Sequence, residues 1–309
     1  MPLAPEIKQY LVGKAMSGAP EAWQAPLDVI RANTYSRVAL AGSPEKIFSL
    51  EDRYIPGPTS DLHIRIYRPH EGKDLPALVY FHGGGWVLNF LDIYDSELIS
   101  LANAAGSVIV AVNYQKAPEH PYPIPFDDCY ATFLWVHQNS YALNINPLKI
   151  GVGGESAGGN LAAAVAQKSR DVAGPKPRYQ LLINPCNERD FETKSYLEYA
   201  SGYGLSREAM MWFWKQYLQG IEHDTDPYAC PSTAKDFSNL AEAIIVTAEF
   251  DPLRDDGIKY DQLLRESGVR THYKEYPGMI HGFANLGAVT PTAHQAISEC
   301  AAIIKNIFD

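Results

Sequence analysis

The sequence predicts an α/β protein: a mostly parallel central sheet flanked by helices, with a helical cap. Apolar, β-branched runs recur along the 309 residues, and helix-patterned segments separate the later ones, the order expected of βαβ units. The earliest runs have no helix between them, so they are expected to pair as an antiparallel edge. Two stretches, 1–45 and 187–235, fall outside the alternation and are expected to form the cap, leaving 46–186 and 236–309 as the core.

In chain order, Pro5 opens a segment with Ile7, Tyr10 and Leu11 at helical spacing, and Pro26 opens another with Val29, Ile30 and Asn33. Strands are expected at 46–54, 62–67, 77–81, 107–113, 149–153, 179–184, 243–250 and 271–276, and helices at 95–105, 127–138, 160–170 and 256–266. Directly after the third strand comes His82-Gly83-Gly84-Gly85-Trp86. Three consecutive glycines expose backbone N–H groups that no side chain shields, the kind of donor that stabilises an oxyanion. The fifth strand runs into Gly154-Glu155-Ser156-Ala157-Gly158. Glycines two before and two after a serine permit a sharp strand-to-helix turn that lifts the hydroxyl clear of its surroundings, and the helix formers of 160–166 continue that turn.

The seventh strand ends at Asp251-Pro252, where proline stops the ladder and leaves the carboxylate on the loop at the strand tip. After the eighth comes Pro277-Gly278-Met279-Ile280-His281-Gly282-Phe283. Of nine histidines, His281 alone sits on a Gly-flanked loop after a late strand. His82 is read as orienting the glycine loop, and His272 and His120 as structural. Asp255 and Asp256 rival Asp251 and are read as caps of the following helix. Ser156, Asp251 and His281 thus form a candidate nucleophile, acid and base in the order Ser, Asp, His.

The set HGGGW, GESAG, DPLRD and HGF resembles the hormone-sensitive-lipase family of α/β-hydrolase carboxylesterases, and the proline-rich stretch 113–123 with Asp127-Asp128-Cys129-Tyr130 is similar to that family's loop and following helix. The likeness spans about residues 45–300, with the motifs in the family's order. It implies the α/β-hydrolase fold, Ser156 as nucleophile, His281 as general base and Asp251 as its orienting acid. It also implies an oxyanion hole of the Ala157 N–H with donors from Gly83, Gly84 and Gly85, the last two foremost. The family's cap combines N-terminal helices with an insertion after the sixth strand, and its members often pair along the last strand. Glu155 departs from the Asp or Thr common at that position.

In the 187–235 insertion, Ser206 is a candidate N-cap for a helix over 207–219, whose Met210, Met211, Phe213, Trp214, Tyr217 and Leu218 leave almost no polar face. Beside a strand-tip site this reads as a lid over an acyl pocket, with Trp86, Met210, Phe213 and Trp214 as substrate contacts. The other reading, that these aromatics complete the core, stays open.

The apolar share of 46% and charged share of 20% are those of a globular protein, and a net charge of −10 with dispersed acids excludes a nucleic-acid binder, which needs a concentrated basic face. The four cysteines, Cys129, Cys186, Cys230 and Cys300, form no metal-spaced cluster and are expected to be buried or half-buried thiols in a reducing compartment. No leader or membrane-spanning run is read, which points to the cytoplasm and no stable membrane insertion. The expected activity is serine carboxylester hydrolysis of neutral esters of short to medium acyl length, through an acyl-enzyme and with no cofactor or metal. An amidase or peptidase with the same triad and a non-catalytic small-molecule receptor are the alternatives. The last strand should lie at a sheet edge, on which two copies could pair as a homodimer, while Lys274 is an edge-blunting residue that argues the other way.

Overall fold

The computed structural model describes residues 2–220 and 226–308, so part of the expected cap, 221–225, and the terminal residues 1 and 309 lie outside the described residues. The elements are α1 (Pro5–Met16), α2 (Leu27–Asn33), α3 (Arg37–Ala41), β1 (Ser49–Pro56), β2 (Asp61–Arg68), β3 (Leu75–Phe81), α4 (Asp95–Ala105), β4 (Val108–Asn113), α5 (Ile124–Gln138), β5 (Ile145–Glu155), α6 (Ala157–Asp171), β6 (Tyr179–Ile183), α7 (Lys194–Glu198), α8 (Arg207–Leu218), β7 (Glu242–Phe250), α9 (Arg254–Glu266), β8 (Thr271–Ile280) and α10 (Pro291–Phe308).

One eight-stranded sheet has the order β1-β2-β4-β3-β5-β6-β7-β8. The pairs β1–β2 and β2–β4 are antiparallel, and every other pair is parallel. The antiparallel edge falls where helices are missing between strands, because a hairpin needs no crossover whereas parallel neighbours do. Alternate side chains feed two cores. On β3, Val79 and Phe81 join a layer with Phe133 of α5, Leu161 and Val165 of α6 and Tyr260 of α9. Leu78 and Tyr80 point the other way, to Leu98 and Leu101 of α4 and Ile297 and Ile304 of α10. Burial on both faces explains why these strands read as unbroken apolar runs.

Several boundaries move. β8 continues past Pro277 to Ile280, which an edge strand tolerates because its outer N–H positions need no partner. α9 begins at Arg254 rather than Asp256, so Asp255 and Asp256 lie inside its first turn instead of capping it. There they still face the positive end of the helix dipole. On α2 only Ile30 is buried, and Val29 faces solvent. Ser206 does cap α8, its Oγ accepting the Ala209 N–H at 3.1 Å. All four cysteines are buried, and Cys129, Cys186 and Cys300 form no disulfide among the described residues.

Candidate active site

β5 rises into Glu155 and α6 begins at Ala157, so Ser156 occupies the turn between them at φ 57°, ψ −120°. That conformation is strained for a residue with a side chain. Its N–H is held by the Ile183 carbonyl of β6 at 2.8 Å. The flanking glycines are required by contact. A Cβ on Gly158 would lie 1.8 Å from the Phe81 carbonyl oxygen, and one on Gly154 would lie 2.4 Å from the same atom. Only hydrogen at both positions lets the start of α6 close onto the end of β3.

Three loops at the strand tips bring the candidate triad together. Ser156 Oγ lies 2.9 Å from His281 Nε2, and His281 Nδ1 lies 2.8 Å from Asp251 Oδ2. Asp251 is fully buried. Its Oδ2 also accepts from Asn184 Nδ2 at 2.9 Å, and its Oδ1 from the Leu253 N–H at 2.9 Å, so the carboxylate is oriented from both sides. Burial opposes charge on His281, but the charge and hydrogen bond of Asp251, with Glu155 adding, outweigh it. The imidazole pKa is therefore raised, with Arg37 opposing. Among the rivals, Asp255 accepts from the Ser195 N–H at 2.8 Å, and buried Asp256 has its pKa pushed up by burial and by the charge of Glu188. His272 is on β8 against Glu242.

The glycine loop lies beside this line. Gly84 and Gly85 adopt φ 115° and 60°, and among the described residues their N–H groups have no partner. The Ala157 N–H, at the start of α6, belongs to the unpaired donors of a helix N-terminus. Gly83 is corrected: its N–H donates to Tyr94 Oη at 3.0 Å, so it is already occupied and not an oxyanion donor. His82 is buried with its pKa lowered to about 3, chiefly by burial, so it is neutral. Its Nδ1 donates to the Gly83 carbonyl at 2.7 Å and its ring stacks on Tyr114 at 4.4 Å, which fits the reading that it orients the loop.

Sequence reading missed the group behind this loop. Tyr94 Oη donates to Glu155 Oε2 at 3.0 Å, while Glu155 Oε1 stands 3.5 Å from His281 Nε2. The residue beside the nucleophile thus contacts both the glycine loop, through Tyr94, and the candidate base. Asn184 was also missed; its φ of 46° at the tip of β6 is a local trace of its special position, since asparagine is among the few residues that enter that region readily.

A cavity of about 700 Å³ opens at His281 and Gly282 and is lined by α1, the 19–40 segment, Leu88, Leu205, Ala209 and Phe213. A second, of about 500 Å³, shares Lys14, Glu21 and Leu205 with it. Of the four expected substrate contacts, only Phe213 lines the larger cavity; its ring lies where a Cβ on Gly85 would fall. Trp86, Met210 and Trp214 are corrected. Each is at most 1% exposed, so none meets a space large enough for water. Trp86 stacks on Tyr217 at 4.2 Å and tilts against Trp214 at 4.5 Å, so that side of α8 completes the core. The stripe is divided: Leu205, Ala209 and Phe213 face the cavity, while Met210, Trp214 and Tyr217 face inward.

Residues 78–285 match a family described by the alpha/beta hydrolase fold. Carboxylesterase NlhH of Mycobacterium tuberculosis is 40% identical over 251 residues, covering 80% of this chain and 79% of that protein. An arylesterase of Saccharolobus solfataricus is 33% identical over 309 residues, the whole of both chains. Among solved structures, a hyperthermophilic esterase from Pyrobaculum calidifontis superposes with a TM-score of 0.94 at 39% identity, covering 99% of each chain.

Proposed function

This chain belongs to the hormone-sensitive-lipase family of α/β-hydrolase carboxylesterases and hydrolyses carboxylic esters; on that premise we propose that Ser156, His281 and Asp251 are its catalytic triad. The observation that carries the assignment is the continuous line Ser156–His281–Asp251, with contacts of 2.9 and 2.8 Å. Ser156 Oγ attacks the ester carbonyl as His281 Nε2 takes its proton. Asp251, fixed by Asn184 and the Leu253 N–H, holds the imidazole tautomer and stabilises the imidazolium. The N–H groups of Gly84, Gly85 and Ala157 receive the oxyanion of the tetrahedral intermediate. One such donor is worth on the order of 3 kcal/mol. The alcohol leaves with the proton from His281, and water then releases the acid by the same steps in reverse.

The cap is read as residues 1–45 and 187–235, of which α1–α3 and α8 wall the cavity that opens at His281. A cavity of about 700 Å³ roofed by Phe213 suits whole esters of short to medium acyl length better than long-chain ones. The amidase and receptor alternatives are not favoured, since the named relatives are esterases. Two finer readings accompany this one. The exposed edge of β8 is the surface on which two copies would pair, readable by sedimentation. Buried Cys129, Cys186 and Cys300, with no disulfide among the described residues, favour a reducing compartment; among the described residues no helix is long and apolar enough to cross a membrane.

The test is hydrolysis of p-nitrophenyl esters from two to sixteen acyl carbons, with Ser156→Ala alongside. A maximum at short or middle length, lost in the variant by a factor of about 10⁶, is expected. A maximum at sixteen carbons would overturn the size reading, and turnover surviving in Ser156→Ala would overturn the triad.

A further inference from the structure

The wall of the active-site cavity carries a charge that the triad chemistry does not use. Arg37, the first residue of α3, is half-buried, lines the cavity with His281 and Gly282, and has no hydrogen bond or ion pair among the described residues. Its guanidinium lies near the loop that carries His281: a Cβ built on Gly282 would lie 3.6 Å from Arg37 Nη2 and 3.7 Å from Glu155 Oε1. Glu155 gives its oxygens to Tyr94 and to the neighbourhood of His281 Nε2 instead. Among the cavity-lining residues, Arg37, Lys14 and His281 carry or can carry positive charge, and Glu21 is the single carboxylate. Lys14 Nζ donates to the Gly204 carbonyl at 2.8 Å, and Glu21 is the acid whose charge favours it. Arg37 is thus left as the unpaired cation of the cavity.

A partly desolvated guanidinium without an anion is costly, and this one also works against protonation of the base beside it. Arginine is the side chain suited to bidentate capture of a carboxylate. The chemistry decides which half of the substrate meets His281. The carbonyl oxygen must lie at the Gly84, Gly85 and Ala157 donors, and the leaving oxygen must lie against His281 Nε2 to receive its proton. His281 lines the same cavity as Gly282, Arg37 and Leu40, and the proposal puts the alcohol on that side.

We propose that Arg37 forms a subsite for a carboxylate on the alcohol half of the substrate, so that esters of hydroxy acids are a favoured class. The products are then the released acyl acid and a free hydroxy acid. This rests on the esterase reading above and refines its alcohol side, leaving the acyl side uncharged. The net charge of −10 does not oppose it, because dispersed surface acids do not set the local field inside a cavity.

The test compares two isosteric substrates, the butyrate esters of 4-(hydroxymethyl)benzoate and of 4-(hydroxymethyl)benzamide. It uses wild-type protein, Arg37→Gln and Arg37→Lys, with kcat/KM taken as the carboxylate-to-amide ratio within each protein so that general changes cancel. In wild type the ratio is expected to exceed one and to fall as salt rises. It is expected to drop tenfold or more in Arg37→Gln and to be largely kept in Arg37→Lys. A ratio unchanged within twofold in Arg37→Gln, or below one in wild type, would overturn the subsite. Hydrolysis of neither ester by folded wild type would instead sink the esterase reading itself, which separates the two failures.

Discussion

Glu155 stands at the centre of the site at the scale of single residues, though its neighbours could not be read from the sequence. Its carboxylate lies 3.5 Å from His281 Nε2, on the side of the ring opposite the 2.8 Å contact to Asp251. The base therefore titrates between two carboxylates, and its raised pKa follows from both once they outweigh burial. Activity requires neutral imidazole, so the acid limb of kcat/KM should lie above the ordinary histidine value of about 6.5, with rate rising as pH rises through it. Glu155→Gln removes one negative charge and should move that limb to lower pH. A fall in rate with the limb unmoved would leave Glu155 only a structural role through Tyr94. Ser156 and His281 were legible because each lies in a loop whose glycines mark its geometry. The Glu155–Tyr94–Gly83 chain was not, since it joins the end of β5 to the start of α4 and no spacing records that contact. The occupation of the Gly83 N–H was hidden for the same reason.

Among elements, the contact of α6 with β3 positions the nucleophile. A Cβ at Gly158 would sit 1.8 Å from the Phe81 carbonyl, far inside any allowed approach. Gly158→Ala should force α6 away from the sheet, costing roughly 3 kcal/mol, near the upper end for overpacking, and ester hydrolysis should fall at least a hundredfold. Denaturant melts and p-nitrophenyl butyrate turnover check both; near-native stability and rate together would contradict the packing argument. The strands and flanking helices were readable because side chains alternate between two apolar layers. The faces of α8 were not. Helical periodicity groups Met210 with Trp214 and Tyr217, and Ala209 with Phe213, but it does not say which group meets Trp86 and which meets the cavity. That depends on the glycine loop against which α8 packs, and the loop passes Trp86 inward to stack on Tyr217.

For the whole molecule, buried acids shape stability. Glu97 on α4 is enclosed with Tyr80 and Asn285, and its pKa is raised to about 7 by burial and by the charge of Glu155. A carboxyl whose pKa is higher in the fold than in the unfolded chain stabilises the fold at low pH, and that contribution is lost as pH rises through the folded value. Stability should therefore decline between about 4.5 and about 7 from this group. Glu97→Gln should flatten the decline and gain on the order of 2 kcal/mol at pH 8; urea curves for the two proteins that run parallel across this range would contradict it. The triad and the two cavities lie at one end of the sheet because every parallel strand from β3 to β8 ends there, and the antiparallel edge adds nothing to the site. The central claim, that Ser156 is the nucleophile activated by His281, is tested most directly by intact-mass and peptide mass spectrometry after treatment with a p-nitrophenyl alkylphosphonate. A single adduct on the peptide containing Ser156, absent in Ser156→Ala and much slower in His281→Ala, is the expected result. An adduct on another residue, or undiminished ester turnover after full labelling of Ser156, would contradict it.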